Sequence, residues 1–360
     1  MQQTIYADTD APTAATPRVR VPNAYDKAML RAARDLTKDI AEASPAIYWT
    51  DMLLSASIGY AALAGAILVD STLLAVALGL VSALTLYRAL LFIHELSHIH
   101  RDALPGFRTA WNLLVGIPLL TPSFMYEGVH TLHHKRTQYG TVEDPEYLPL
   151  ALMKPWSLPL FVLVALLAPV ALLFRFAVLV PLGALVPAIR NLTWQRFSAL
   201  SINPRFRRRP AEGELRQRVL RQEAGGFAWS WLLISSVFVF GWTPLLIALA
   251  VVSATAVLNQ LRTLVAHLWE NEGEPMTVTA QFLDSVNVPP PGVVAEIWAP
   301  VGLRYHALHH LMPSMPYHSL PEAHRRLRDN LGEGSTYDGA NHKGMMMLVG
   351  RIARSTMRPR

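Results

Sequence analysis

The chain has 360 residues, of which 52% are hydrophobic and only 16% charged, and its mean hydropathy is +0.26. This composition excludes an ordinary soluble protein of this size and indicates a membrane protein. The absence of cysteine excludes disulfides, thiolate metal sites and a cysteine nucleophile, so any metal must have nitrogen or oxygen ligands. The net charge of +6 comes from basic residues between apolar segments, which favours contact with anionic lipid headgroups over nucleic-acid binding.

The polar N-terminal arm, residues 1–46, lacks the charged and then apolar pattern of a secretory signal, so we expect it to be cytoplasmic. Two apolar stretches follow, from Ile47 to Val69 and from Ser71 to Ile93, each near the length of roughly 20 residues that a membrane-spanning helix needs. Only Asp70 separates them. This pattern predicts a transmembrane helical hairpin.

A second pair of apolar stretches runs from Gly226 to Gly241 and from Thr243 to Ala266, again with almost no room between its members. Arginines crowd the segment before this pair, whereas the two tight turns contain no Lys or Arg. By the positive-inside rule both termini and the middle segment are cytoplasmic, in a bacterial inner membrane or an ER membrane. The predicted fold is an all-α integral membrane protein with two transmembrane hairpins, about four spanning helices, interfacial helices and a cytoplasmic histidine-rich region.

Two further apolar stretches complicate this count. Trp111 to Leu120 is too short to span and is predicted to be interfacial or re-entrant. Pro155 to Pro187 is long but interrupted by prolines and Arg175, so we interpret it as embedded in the membrane without a crossing. The predicted membrane domain covers residues 47–330, and a polar, basic tail covers residues 331–360.

Eight histidines lie in three compact clusters, one HxxxH and two HxxHH. At these spacings the imidazoles of each cluster share one helical face, which suits a metal. The predicted topology places all three clusters on the cytoplasmic side, where His267, at the end of the last spanning stretch, can join them. The nine candidate ligands are His94, His98, His130, His133, His134, His267, His306, His309 and His310.

Nine histidines exceed what one ion takes, so two metals are implied, although imidazole alone does not choose between iron, zinc, copper and nickel. Four other histidines match no cluster and are interpreted as surface residues or as neighbours of the site, and we consider His318 the best candidate for the second role. They are His100, His318, His324 and His342.

The order and spacing of the three histidine boxes between two hairpins resemble the membrane fatty acid desaturase family. The resemblance extends to Asp144-Pro145-Glu146-Tyr147 after the second box and to Leu311 to Tyr317 after the third, and covers about Leu90 to Leu327. It implies a non-haem di-iron oxidase that uses O₂, with two iron ions bound by the nine histidines. The sequence departs from the acyl-CoA branch at Thr263, where that branch has an asparagine that helps to hold the second iron through water.

The resemblance implies a membrane lipid or acyl-thioester substrate and a fatty acid desaturase reaction that introduces a double bond. The haem motif of a fused cytochrome b5 domain is absent, so an external electron donor is expected, either a ferredoxin, a rubredoxin or a cytochrome b5. A basic cytoplasmic face would suit an acidic carrier.

Carboxylates near the boxes are candidates to orient the imidazoles through hydrogen bonds. We favour Asp144 over Glu143 and Glu146, and Glu95 either does the same or faces solvent. Positively charged and aromatic residues at the cytoplasmic surface are weaker candidates to hold a substrate headgroup, since we favour lipid anchoring as the explanation for each of them. They are Arg190, Trp194, Arg196 and Arg304.

Alternatives remain open at this point. A di-iron hydroxylase or ketolase acting on an alkane, a fatty acid or a carotenoid would share the same metal site. Residues 94–98 also match the H-E-x-x-H motif of zinc proteases, with Glu95 as general base, but that leaves both HxxHH clusters unexplained. A metal transporter would need polar residues in the middle of its spanning helices, whereas Arg88, Asn259 and Arg262 lie toward the cytoplasmic ends.

Overall fold

A computed structural model describes residues 26–292 and 294–356. Within those ranges no β-strand forms, and the structure is helical, which confirms the predicted class. The helices are α1 Lys27–Asp35, α2 Pro45–Leu68, α3 Thr72–Leu90, α4 Phe92–His98, α5 Phe107–Trp111, α6 His130–His133, α7 Ser157–Leu163, α8 Ala168–Phe174, α9 Val180–Leu185, α10 Pro187–Phe197, α11 Gly213–Phe240, α12 Trp242–Leu264, α13 Val278–Asp284, α14 Ala295–Trp298, α15 His306–Leu311, α16 Leu320–Leu331 and α17 Met345–Thr356.

The first predicted hairpin is formed by α2 and by α3 with its continuation α4, which together cover Thr72–His98. The Ser71 side chain caps α3 by accepting a hydrogen bond from the Leu74 amide, so a new helix starts directly after the turn. Gly59 lets the two helices approach closely, because a Cβ there would lie 2.6 Å from the Leu86 side chain. The hairpin thus delivers His94 and His98 at its returning end.

The second predicted hairpin is formed by α11 and α12. Gly241 joins them with φ of 74°, a left-handed conformation that residues with a side chain rarely adopt. Near this turn Phe238 and Val239 are 89% and 75% exposed. Without hydrocarbon around them such side chains would contact water, so these surfaces fit a lipid environment.

A third membrane segment, Ser157–Leu185, is also long and apolar enough to span, which brings the candidate spans in the described ranges to five. It is built from α7, a 3₁₀ turn, α8, a π-helical turn and α9. Phe161, near its start, packs in one cluster with Leu264 at the end of α12, whereas the Leu166 carbonyl accepts a hydrogen bond from Ser253 in the middle of α12. The segment therefore enters from the end of α12 that leads to His267.

Its later part returns toward the same end of the second hairpin. Arg175 forms a 2.7 Å ion pair with Glu223 in the first half of α11, and Arg190, just after the segment, pairs with the same carboxylate at 2.5 Å. Since α11 runs from the site end to the Gly241 turn, both ends of Ser157–Leu185 lie near the site end. The contacts agree with a segment that enters the membrane and leaves it on the same side.

The remaining helices form a lobe over the site end of both hairpins. Its core contains Met29 of α1, Phe282 of α13, Leu308 of α15 and Leu327 of α16, all of which are buried. Helix α5 meets the stretch predicted to be interfacial, Trp111 to Leu120, at Trp111, and a π-helical turn over Asn112–Gly116 lies within that stretch. Residues 26–46 of the predicted N-terminal arm pack on this lobe through α1, while residues 1–25 of that arm and 357–360 of the predicted tail lie outside the described residues.

Candidate metal centre

The structure brings all nine predicted histidines together in two groups at the junction of hairpins and lobe. In each group the ligand nitrogens lie within 4.8 Å of one another. The first group draws on all three boxes and contains His94, His98, His130, His134 and His309. The second group contains His133, His267, His306 and His310.

The local helices explain this division. Helix α4 ends at His98 and presents His94 and His98 one turn apart on one face. Helices α6 and α15 are single short turns, and each sends some of its histidines to one group and some to the other. His267 lies just beyond the end of α12, where a backbone bridge to Ser285 fixes its position.

The Nε2 atoms of neighbouring histidines face one another at short distances. His130 and His134 are 2.9 Å apart at Nε2, His267 and His306 are 3.1 Å apart, and His98 lies 3.2 Å from His309. Metal–nitrogen bonds of about 2.1 Å at right angles would place adjacent ligand nitrogens about 3.0 Å apart. Two neutral imidazoles whose Nε2 atoms both lack a proton repel each other at this distance, and a cation between them removes that conflict.

Further observations support the fit of metal ions to these groups. Both Nε2 and Nδ1 of His94 are buried and have no hydrogen-bond partner among the described residues. Burial lowers the pKa of His130, His267, His306 and His309, so these imidazoles stay neutral, as metal ligands must be. The donor set is nitrogen throughout, which suits iron, zinc, copper or nickel but not magnesium or calcium.

Asp144 lies where the sequence predicted a partner for an imidazole. Its carboxylate is fully buried and lies 3.0 Å from Nδ1 of His133, and it also accepts hydrogen bonds from the amides of Gly140 and Glu146. Burial is the largest influence on the pKa of His133 and lowers it, but the charge and hydrogen bond of Asp144, together with the charges of Glu146 and Asp284, raise that pKa above its usual value. The pair therefore holds a proton on Nδ1 and leaves Nε2 for the second group.

Glu146 acts in the same way on the first group. It accepts from Nδ1 of His130 at 2.8 Å and from the Tyr126 hydroxyl at 2.6 Å. Burial raises the pKa of Glu146 to about 7. Glu143, the third carboxylate of this loop, instead contacts Gln138 at the surface, so the structure does not place it against an imidazole.

No motif in the sequence points to Asp284 or Tyr139, yet both support His267. Burial raises the pKa of Tyr139 far above its usual value, so the phenol keeps its proton. Its O–H donates a hydrogen bond to Asp284 at 2.7 Å. Its oxygen then accepts from Nδ1 of His267 at 2.9 Å.

Glu95 does not face solvent, one of the two alternatives that the sequence left open for it. Its carboxylate accepts from the Tyr48 hydroxyl and from the Tyr317 amide at 3.1 Å, while its nearest oxygen lies 3.6 Å from Nδ1 of His94. These contacts join α2 and α4 to the chain after α15. A zinc protease needs this carboxylate free beside the metal-bound water, so the geometry disagrees with the protease interpretation.

The predicted headgroup residues mostly have structural partners. Arg304 is 4% exposed and binds Glu296 and the carbonyls of Val288 and Gly292, which corrects its assignment as a surface headgroup ligand. Arg190 pairs with Glu223, and the indole of Trp194 donates to the carbonyl of Arg209. Arg196 alone of the four is an exposed side chain.

The four histidines that match no box lie outside both groups. His100 is exposed next to Asp102, and His318 accepts a hydrogen bond from the amide of Ser44. His324 contacts the Tyr337 hydroxyl at 2.9 Å, and the amide of His342 donates to Asn287. Thr263 accepts a hydrogen bond from Arg262 at 2.9 Å.

Fold and site together define a multi-pass membrane protein with a nine-histidine centre suited to two metal ions. The model of the fatty acid desaturase family matches residues 71–340. The chain therefore belongs to the fatty acid desaturase family, whose membrane members include both desaturases and hydroxylases.

A relative named ceramide hydroxylase, from Caulobacter vibrioides (strain NA1000 / CB15N), is 47% identical over 338 residues, which cover 92% of this chain and 95% of that protein. No solved structure matches the chain.

Proposed function

We propose that this protein is an O₂-dependent lipid hydroxylase whose two histidine groups each hold one iron ion, and that its substrate is a ceramide-like membrane lipid. The observation that carries the proposal is the convergence of nine histidines into two groups whose outward nitrogens are held by Asp144, Glu146 and Tyr139. Imidazole ligands suit iron as well as zinc, copper and nickel, and membership in this family favours iron among them.

Hydroxylation replaces the desaturation that the resemblance implied. Both reactions consume O₂, two electrons and two protons: hydroxylation converts C–H to C–OH and releases one water, whereas desaturation removes two hydrogens and releases two waters. The ligands do not distinguish these outcomes, because substrate placement decides between them. The 47% identity to a ceramide hydroxylase over 92% of this chain favours insertion of oxygen.

When bound, a pair of iron ions supplies the redox chemistry that reduces O₂ and oxidises an unactivated C–H bond. The protein residues prepare the centre for that task. Asp144 and Glu146 hold protons on Nδ1 of His133 and His130, which directs their Nε2 lone pairs inward. Tyr139 does the same for His267.

Exposed positive charge near the metal centre supports a proposal for the electron donor and for the side of the membrane on which the centre lies. The exposed arginines Arg205, Arg207 and Arg209 lie on the segment before α11, at the end of the membrane helices where the histidines meet. A basic surface here suits an acidic one-electron carrier such as a ferredoxin, a rubredoxin or a cytochrome b5. We propose that this face and the metal centre are cytoplasmic.

The test is expression of the wild-type chain in a host that makes ceramide but does not hydroxylate it, followed by mass spectrometry of its lipids. The expected product is ceramide that gains one oxygen atom, labelled when the culture grows under isotopically heavy O₂. A His133→Ala variant, expressed at the same level, serves as the matched inactive control. Ceramide that loses two hydrogens without gaining oxygen would overturn hydroxylation in favour of desaturation.

A further inference from the structure

Arg262, near the end of α12, is a buried cation whose surroundings differ from those of the other buried arginines. Arg175 pairs with Glu223, Arg304 pairs with Glu296, and Arg208 donates to two backbone carbonyls. Arg262 is only 9% exposed, and among the described residues it forms no ion pair with a carboxylate. Burying a charge that no carboxylate contacts directly is costly, so a membrane protein keeps such a residue for a function.

The guanidinium of Arg262 is only partly satisfied by hydrogen bonds. Its Nη2 donates to two neutral oxygens, those of Thr263 at 2.9 Å and Asn259 at 3.3 Å. Its Nε is buried and has no partner among the described residues. A guanidinium presents its donors as a rigid, planar fork, so a free Nε beside Nη2 is suited to an oxygen acceptor.

The position of Arg262 places this donor on the membrane side of the metal centre. It precedes His267 by five residues within a span that ends at Leu264. It also lies within hydrogen-bonding reach of Tyr87, which comes about two helical turns before His94, or roughly 10 Å at 1.5 Å per residue.

A lipid chain that reached the histidines alongside the end of α12 would pass close to this guanidinium. A plain alkyl chain offers it no acceptor and would leave the buried charge unpaired. An amide carbonyl or a hydroxyl on the lipid would supply the missing acceptor and would fix the chain relative to the metal centre. This contact would also give a role to Thr263, which stands where the acyl-CoA branch has an asparagine, because its hydroxyl accepts a hydrogen bond from the guanidinium and orients it.

We infer that Arg262 is a substrate-binding residue that donates hydrogen bonds to a carbonyl or hydroxyl oxygen of the lipid, so that the oxidised carbon lies within a few bonds of that oxygen. This inference rests on the proposed lipid hydroxylase function. It distinguishes a lipid oxidised next to its polar part from one oxidised in the middle of an acyl chain.

The test compares Arg262→Met and Arg262→Lys with the control Arg354→Met, which changes an exposed arginine whose Nε donates to the Gly350 carbonyl of its own helix. Each variant is loaded with iron, and iron content and thermal midpoint are measured first. Binding is then measured without reductant, as the thermal shift caused by a short-chain ceramide or by an alkane of similar length in detergent. Turnover of the ceramide and the position of the new hydroxyl are measured last.

We expect Arg262→Met to keep its iron and to weaken ceramide binding by roughly 10- to 100-fold, the range for a charge-assisted hydrogen bond in a buried site. The affinity of Arg262→Met for the alkane should equal that of the wild type. The ceramide affinity of Arg262→Lys should lie between those of Arg262→Met and the wild type, and Arg354→Met should match the wild type. The wild-type product should carry its hydroxyl beside the polar part of the lipid.

Ceramide affinity and hydroxyl position equal to those of the wild type in an iron-loaded Arg262→Met protein would overturn the inference while the hydroxylase function stands. If Arg262→Met does not fold, the ceramide affinity and hydroxyl position of Arg262→Lys are compared with those of the wild type instead, and equality would overturn the inference. If the wild type neither binds nor oxidises ceramide, the proposed function and this inference both fail.

Discussion

The two histidine groups differ in how many ligands they have and in how those ligands are supported. The first group has five histidines, two of which, His98 and His134, are only partly buried. The second has four, all buried, and two of them are held from behind by acidic residues, His133 by Asp144 directly and His267 by Asp284 through Tyr139. The second group thus has fewer ligands, and more of them are held by acidic residues. Metal binding there should therefore depend more strongly on each ligand and on each of these contacts.

Removal of one ligand should show this difference most strongly. His267→Ala leaves three histidines in the second group, whereas His98→Ala leaves four in the first. We expect His267→Ala to lose about one of two irons and nearly all activity, a larger effect than the roughly 10- to 100-fold cost of losing an outer hydrogen-bond partner. His98→Ala should retain more iron. Iron content and lipid turnover are measured for both variants. Equal iron loss in the two would contradict the proposed difference between the two histidine groups.

Asp144→Asn should be the next largest effect. The amide can no longer balance the Nδ1 proton of His133 with a negative charge, so metal affinity should fall by roughly 10- to 100-fold in the second group. Competition with a chelator of known affinity measures this. Glu143→Gln, in the same loop but against Gln138, is the matched control and should bind iron normally. An Asp144→Asn protein with wild-type affinity would show that the carboxylate has no such role.

Glu146→Gln should weaken the first group only, toward the lower end of the same range. The Tyr126 hydroxyl also lies 2.8 Å from Nδ1 of His130 and can still support it, and four other histidines remain. Chelator titration of the two irons separately should show one weakened ion. Loss of both irons would mean that the groups are not independent.

Tyr139→Phe should have the smallest effect of the four, a reduction in turnover of less than about tenfold. Ser285 lies 3.2 Å from Nδ1 of His267 and can replace the phenol as a partner. Steady-state turnover and iron content test this together. The double variant Tyr139→Phe, Ser285→Ala should lose much more, and if it behaves like the single variant, the outer contacts to His267 do not matter.

The sequence predicted the parts of this molecule that depend on periodicity and composition. Apolar length predicted the two hairpins, and the histidine spacing predicted which nine side chains would meet. The assignment of the histidines to two groups was not predictable, because His130 and His133 leave the same short helix toward different groups. Asp284 and Arg304 were also beyond prediction, since their roles depend on tertiary neighbours, a distant phenol and a nearby carboxylate.

The most direct test of the account is metal analysis of the wild-type protein purified without added metal chelators. Two groups with these ligands predict two irons per chain, of which His267→Ala should lose one. A protein that holds a single zinc ion and no iron, in an otherwise folded and membrane-inserted state, would contradict the account.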